Sequence, residues 1–357
     1  MDDLFKSKPF ETLLSTLRDL QLDDSVDSWP SEQLAAMTRA GVMAWDVPVE
    51  DGGVDLAAVD QLEGLRLLSS ACLVSTFVLT QRSAAVRRIA TSPNSAARQE
   101  LLPRLLSGEI FATVGISHLS TSGQHLQTPL VQAEVASDGY VLNGTVPWTT
   151  GATMADNLIT GGTLPDGRQI LVALPTDREG LDVQSPVTLM ALNASQTGAA
   201  KLTNVAVQPS DVLHGPVEGV MKQGTGGGAG SLGTSALAIG ATAGVLRNLK
   251  AEAERRPDLH EYLSPLQADC AQLTDDLRLA AAGNHPAGAA GAEQLRRRAN
   301  SLVLRSAQTW LAATKGAGYV AGHPAERAVR ESMFFLVWSC PQPVLAANLR
   351  ELACVAG

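Results

Sequence analysis

The sequence predicts a mainly α-helical chain with a small β domain in its middle, and three changes of texture predict it. Over residues 1–110 apolar positions recur at helical spacing. Over 111–213 short β-favouring runs are punctuated by Gly, Pro and Asn, and over 214–357 Ala- and Leu-rich helical patterns return. A doubly wound parallel sheet would alternate strands and helices throughout, so this order points away from one.

In chain order, Phe10, Leu13, Leu14, Leu17 and Leu20 form the first apolar stripe. Pro48 and Asp51-Gly52-Gly53 mark a loop, and further stripes follow over 55–90 and 97–107. The middle third holds the most informative segment, Tyr140-Val-Leu-Asn-Gly-Thr-Val-Pro-Trp-Thr-Thr-Gly151. Asn143-Gly144 is a preferred two-residue turn, so the segment reads as a hairpin and then a strand ending on Trp148, Thr149 and Thr150. An exposed strand end carrying an indole and two hydroxyls is a platform for a flat, hydrogen-bonding ring; the same residues also suit ordinary sheet core. Residues 169–174 and 201–207 read as further strands. Helical patterns near 232–255, 263–283, 290–315 and 323–352 then read as a four-helix bundle. Its first member, from Ala236 to Gly244, is small and apolar almost all round, which implies burial on more than one face.

Composition narrows the function. The net charge of −9 disfavours a nucleic-acid or membrane-surface partner. Cys72, Cys270, Cys340 and Cys354 lack metal-site spacing and suit a reducing compartment. With neither a leader-like segment nor an apolar run of membrane length, the expected location is the cytoplasm. The run Gly224-Thr-Gly-Gly-Gly-Ala-Gly230 lacks the acidic residue about twenty positions on that a dinucleotide fingerprint needs, and reads as a flexible entry into the bundle.

The segment 140–151 resembles the Tyr-Val-Leu-Asn-Gly-x-Lys-x-Trp-Ile-Thr-Asn-Gly signature of the acyl-CoA dehydrogenase family, with Val146 for Lys and Gly151-Ala152 for Asn-Gly. Other landmarks fall in the family's order. Asp51-Gly-Gly53 resembles its Tyr-Gly-Gly loop, and Leu102-Pro-Arg-Leu-Leu-Ser-Gly-Glu109 its Leu-Pro-x-Leu-x-x-Gly-Glu. Ala194-Ser-Gln-Thr-Gly198 and the strand behind it follow, then Gly316-Ala-Gly-Tyr319 and Pro324-Ala-Glu-Arg-Ala-Val-Arg-Glu331. The resemblance covers nearly the whole chain. It implies a helical domain at 1–110, a β-barrel-like middle domain at 111–213 and a four-helix bundle at 214–357, assembled as a homodimer or homotetramer that shares FAD across an interface.

For FAD, the resemblance implies contacts from Trp148, Thr149 and Thr150, and from Ile116 and Ser117 in a Ser/Thr-rich loop where His118 and Leu119 replace the family's Glu-Pro. Ser120 and Thr121 in that loop also read as simple turn residues. Arg256 takes the position of the family's diphosphate arginine, a bidentate match to phosphate oxygens, with Gly316 in the glycine loop. Arg255 and Arg256 equally fit solvated charges at a helix C-terminus.

The family's catalytic Glu is absent. Its usual position is Ser339, within Val337-Trp-Ser-Cys-Pro341, and the alternative position near 234 has no carboxylate between Glu218 and Glu252. The Asp-x-x-Arg pair that helps members bind CoA is also replaced, by Ser231-Leu-Gly-Thr-Ser235. His118 is a substitute base to examine, since its ordinary pKa suits proton transfer near neutrality. Phe334, Phe335, Trp338 and Ser339 read as a substrate-pocket wall, and the two prolines flanking Gln342 interrupt the last helix. Cys340 reads as structural rather than nucleophilic. No metal site is expected. The expectation is an FAD-dependent oxidoreductase acting on the CH–CH group of an acyl thioester, a small-molecule substrate with acyl-CoA among the options, and with a non-standard or missing base. A flavin monooxygenase of the same fold and a non-catalytic relative are the alternatives.

Overall fold

The computed structural model describes residues 2–20, 22–120, 122, 126, 128–224, 232–284 and 290–355. Six helices open the chain: α1 (Asp2–Phe5), α2 (Lys8–Asp19), α3 (Ser31–Arg39), α4 (Ala58–Ala71), α5 (Leu73–Ala90) and α6 (Ser95–Ser107). The stripe expected over 55–90 divides at Cys72, whose extended backbone ends α4 and starts α5. Local chemistry sets other ends. The Ser7 hydroxyl accepts the Phe10 amide at the start of α2, Asn94 caps α6 through the Ala97 amide, and Gly108 ends α6 in the left-handed region.

Eight strands follow: β1 (Ala112–Val114), β2 (Val131–Ala136), β3 (Gly139–Thr150), β4 (Asn157–Thr163), β5 (Gln169–Pro175), β6 (Leu181–Val183), β7 (Thr197–Val207) and β8 (Val212–Val217). They form one sheet in the order β6-β7-β3-β2-β4-β5-β8, with β1 added parallel to β4. The last strand crosses residue 213, where sequence texture ends the middle domain.

The expected hairpin at Asn143-Gly144 is corrected. Residues 139–150 are one continuous strand, and the tight turn lies earlier, between Ala136 and Gly139. Gly144 has φ of 136° at a register shift, and an added Cβ would sit 2.1 Å from the Leu130 carbonyl oxygen. The Asn143 side chain accepts the Asn204 amide of β7 at 2.7 Å. Asn-Gly therefore makes a bulge, because the neighbouring strand rather than a turn absorbs the glycine's unusual conformation.

The last third is helical: α7 (Leu232–Arg255), α8 (His260–Ala281), α9 (Ala290–Gly318), α10 (Pro324–Met333) and α11 (Gln342–Leu352). The glycine run singled out in the sequence lies, beyond Gly224, outside the described residues. The pattern over 323–352 splits into α10 and α11, as the proline pair predicts. His323 caps α10 with its Nδ1 accepting the Ala325 amide, and Pro324 fills the first turn.

One helix joins the layers. Leu73, Val74 and Phe77 of α5 enter the bundle core, Val78 and Leu79 the N-terminal core, and Ala85, Val86 and Ile89 the core against the sheet. Beside it, α4 and α7 cross closely. Ser69 Oγ donates to the Leu237 carbonyl at 2.8 Å, and a Cβ at Gly240 would meet the Arg66 carbonyl oxygen at 2.2 Å. Backbone cannot give way as a flexible side chain can. Gly240→Ala is therefore expected to lower stability by roughly 1–3 kcal/mol, whereas Gly316→Ala, which faces open space, should leave the melting temperature unchanged or slightly raised. Thermal unfolding of both variants checks this, and a wild-type melting curve for Gly240→Ala would refute the close crossing.

Candidate functional site

Where the three parts of the chain meet, they enclose a cavity of about 850 Å³. One face of α5 supplies Phe77, Thr80, Gln81, Ala84 and Arg87, residues spaced three or four apart and so stacked along one line of the helix. The sheet side supplies Ile116 and Ser117 after β1, and Trp148 and Thr150 at the end of β3. The bundle side supplies Phe334, Trp338, Ser339 and Cys340 between α10 and α11. Trp148 and Thr150 point one way from the strand and Thr149 the other, as the twofold strand period requires. The Trp148 ring is 52% exposed, although such a ring gains from cover, and it borders the cavity. Thr149 is buried against Gly115, outside the cavity.

Behind Thr150 runs a chain of hydroxyls that the sequence reading did not assemble. Ser195 Oγ and Thr197 Oγ1 are 2.8 Å apart, Thr197 Oγ1 and Thr150 Oγ1 3.0 Å, and Thr113 Oγ1 donates to the Thr150 carbonyl at 2.6 Å. Thr197 lines the cavity. Its signal was present in Ala194-Ser-Gln-Thr197, but the pairing of β3 with β7 that aligns Thr150 with Thr197 appears only in the fold.

The aromatic wall needs one correction. Phe335 does not line the cavity: its ring is fully buried in the bundle core, with the Arg296 guanidinium 5.9 Å from its centroid. Phe334, expected in the wall as well, does line it, stacked on Trp338 at 5.0 Å, and both rings meet Phe77 edge-on. The interruption of the helix turns successive side chains to different sides, which helical spacing could not foretell. Arg296 and Asn300 of α9 hold this segment from behind. Arg296 Nη2 donates to the Phe335 and Trp338 carbonyls at 3.2 and 3.0 Å, and Asn300 Nδ2 to Phe335 at 3.0 Å. Burial pushes the Arg296 guanidinium down to about 10, partly offset by Cys340, and burial raises the Cys340 thiol. Ser339 lines the cavity with φ of 46°, a conformation strained for a residue with a Cβ.

His118 is corrected as well. It does not line the cavity but lies buried, with Nε2 2.9 Å from the Gly161 carbonyl oxygen. A carbonyl only accepts, so Nε2 carries the hydrogen. Arg256 and Gly316 are also away from the cavity, together at the far end of α9. Arg256 Nη1 donates to the Ala313 carbonyl at 2.6 Å and Nη2 lies 3.5 Å from Asp258. The sequence-predicted cofactor residues thus fall in two groups: Ile116, Ser117, Trp148 and Thr150 at the cavity, Arg256 and Gly316 apart.

Among the described residues, Asp46 is the one carboxylate lining the cavity, and Arg87 Nη1 donates to its Oδ1 at 2.7 Å. Neither was singled out in the sequence, where both sit in unmarked loop and helix positions. Arg330 also reaches the cavity but is engaged by Asp24, Glu326 and the Met190 carbonyl.

A helical domain, an eight-stranded sheet and a helical bundle around one shared cavity define a three-domain fold seen in known flavoproteins. PigA, solved with FAD and proline, superposes with a TM-score of 0.78 over 98% of each chain at 16% identity. A family model described as acyl-CoA dehydrogenase, N-terminal domain, matches residues 18–109. The chain is 26% identical over 262 residues to a probable acyl-CoA dehydrogenase, YngJ, of Bacillus subtilis strain 168, covering 71% of this chain and 68% of that protein. It is 31% identical over 103 residues to a dibenzothiophene monooxygenase of Mycolicibacterium goodii, covering 27% of this chain and 25% of that one. The chain thus resembles the acyl-CoA dehydrogenase family in sequence over residues 18–109 and along most of its match to YngJ.

Burial lowers the pKa of His118, the Gly161 hydrogen bond opposing weakly, so the folded protein resists protonating it. The unfolded chain takes up that proton first as pH falls through 6.5, and stability falls over the window below that value until the depressed folded pKa is reached. Thermal unfolding between pH 5 and 8 should show this loss, with a shallower slope in His118→Gln. An unchanged slope would mean that His118 is not the group responsible.

Proposed function

We propose that the chain is an FAD-dependent oxidoreductase acting on the CH–CH group of an acyl thioester, with a base other than the family's Glu. The observation that carries this is the Trp148 ring, left half exposed beside a cavity lined by an aromatic wall. That arrangement suits a flat ring system packed on the indole. Ile116, Ser117 and Thr150 would border the same ring, with Thr197 and Ser195 orienting the Thr150 hydroxyl. When bound, FAD supplies a hydride acceptor. The chain's own work is to exclude water with Phe77, Phe334 and Trp338 and to hold the substrate against Ser339. A serine accepts a proton poorly at neutral pH, so Ser339 orients rather than abstracts. His118, buried against the Gly161 carbonyl and absent from the cavity lining, is set aside as the base.

Arg256 and Gly316, remote from Trp148, fit this reading if the molecule is a homodimer or homotetramer in which they meet the diphosphate of a neighbouring subunit's FAD. A cytoplasmic location and a small-molecule substrate belong to the same reading. Among the described residues, no helix is long and apolar enough to cross a membrane. The match to a dibenzothiophene monooxygenase favours a second reading, oxygen activation at the flavin, which needs no base for an α-proton.

Reconstitution with FAD, desalting and a visible spectrum test the cofactor. The wild type should retain flavin, and Trp148→Ala should bind it roughly 2- to 10-fold more weakly through lost stacking. Anaerobic titration with acyl-CoAs then tests the chemistry. Bleaching by any of them supports the dehydrogenase reading. Retained flavin that none reduces, but that consumes oxygen once reduced, moves the assignment to a monooxygenase. A chain that retains no flavin is a non-catalytic relative.

A further inference from the structure

The cavity has two chemically different poles. From Phe77 to Arg87 the lining face of α5 advances ten residues, about 15 Å at the helical rise, from the aromatic wall to an ion pair. At the far pole Arg87 makes one hydrogen bond to Asp46 and has no other partner among the described residues; its Nε is buried and unsatisfied. Asp46 uses one oxygen and, among the described residues, has no hydrogen-bond partner besides Arg87. A second guanidinium, Arg82, lies behind and feels the Asp46 charge, with its own donors engaged by the Met43 and Leu105 carbonyls at 3.1 and 2.6 Å. Two cations thus face one carboxylate, and the pole carries an excess positive charge. The third cavity-lining cation or anion, Arg330, is neutralised by Asp24 and Glu326 and adds nothing to this imbalance.

A wall built only for an alkyl chain would gain nothing from this arrangement, because holding charges beside apolar surface costs desolvation. A ligand carboxylate, by contrast, would complete the charge balance and use guanidinium donors that Asp46 leaves free. Asp46 would fix the Arg87 rotamer so that little freedom is lost on binding. We propose that Arg87, oriented by Asp46, is the recognition site for a terminal carboxylate on the acyl substrate. The substrate class is then a dicarboxylic acid monothioester rather than a simple fatty acyl group. The inference rests on the acyl-thioester reading above and adds what the acyl group carries.

The test is binding, measured without turnover. Calorimetry on the full chain, with and without FAD, compares the N-acetylcysteamine thioesters of adipic and hexanoic acid, which match in carbon number and differ in the terminal charge. The adipyl thioester should bind about 10- to 100-fold more tightly, the range of hydrogen bonds to charged groups. Arg87→Met should erase the preference, Arg87→Lys should keep part of it, and Asp46→Asn should retain it. Melting curves identify any variant that is unfolded, and Arg87→Lys then carries the test. Equal binding of the two thioesters, binding of neither, a preference that survives Arg87→Met, or one that FAD abolishes would each overturn the proposal. Failure of the flavin chemistry would instead appear as adipyl-selective binding with no bleaching, so the two ideas fail separately.

Discussion

The structure depends on α5 being packed on nearly every side. Phe77 belongs to the bundle core, Leu79 to the N-terminal core and Val86 to the core against the sheet. Each such side chain gains about 1.5–3 kcal/mol on leaving water, and because the gains come from three different neighbours, the helix fixes their relative positions. The cavity is the one stretch along α5 where these neighbours stand back. Its shape follows from how three cores meet on one helix, with segments between regular elements closing its sides.

Packing a helix this completely has an electrostatic cost. Arg82 is 2% exposed and Arg88 1%, and burial pushes both guanidinium groups down to about 10. Arg82 offsets its cost by serving backbone carbonyls that would otherwise end unpaired, those of Met43 after α3 and Leu105 near the end of α6. Arg296 does the same for the irregular segment between α10 and α11. In both places a long donor reaches from a regular helix to steady backbone that has left regular hydrogen bonding. The wall of the cavity is thus only as well ordered as the buried arginine behind it. Arg87 differs from these, since its partner is a side chain and its remaining donors are not spent on backbone.

What the sequence reveals follows from where information is local. The three-part order, the helices 232–255 and 290–315, and the break before α11 were legible because periodicity and proline act within a few residues. The placing of Trp148 and Thr150 on one strand end was legible for the same reason. Asn143-Gly144 misled because glycine's positive φ serves a bulge as readily as a turn, and the deciding contact, Leu130 O, comes from another strand. Phe335 misled because a single irregular turn decides which of two adjacent rings faces inward. Asp46 and Arg87 could not be found at all: 41 residues separate them, and nothing in either neighbourhood marks it.

On the proposed reading, the uncharged Ser339 and the carboxylate of Asp46 elsewhere on the cavity lining are best understood together. A carboxylate beside the reacting carbon must be free to accept a proton, so it is placed without a strong cationic partner. Asp46 is placed in the opposite way, its Oδ1 accepting from the Arg87 guanidinium at 2.7 Å. Moving the carboxylate from the wall to that pole therefore does not relocate the base. On the proposed reading, a carboxylate that would do chemistry gives way to one that orients a cation, and the wall at Ser339 is left neutral.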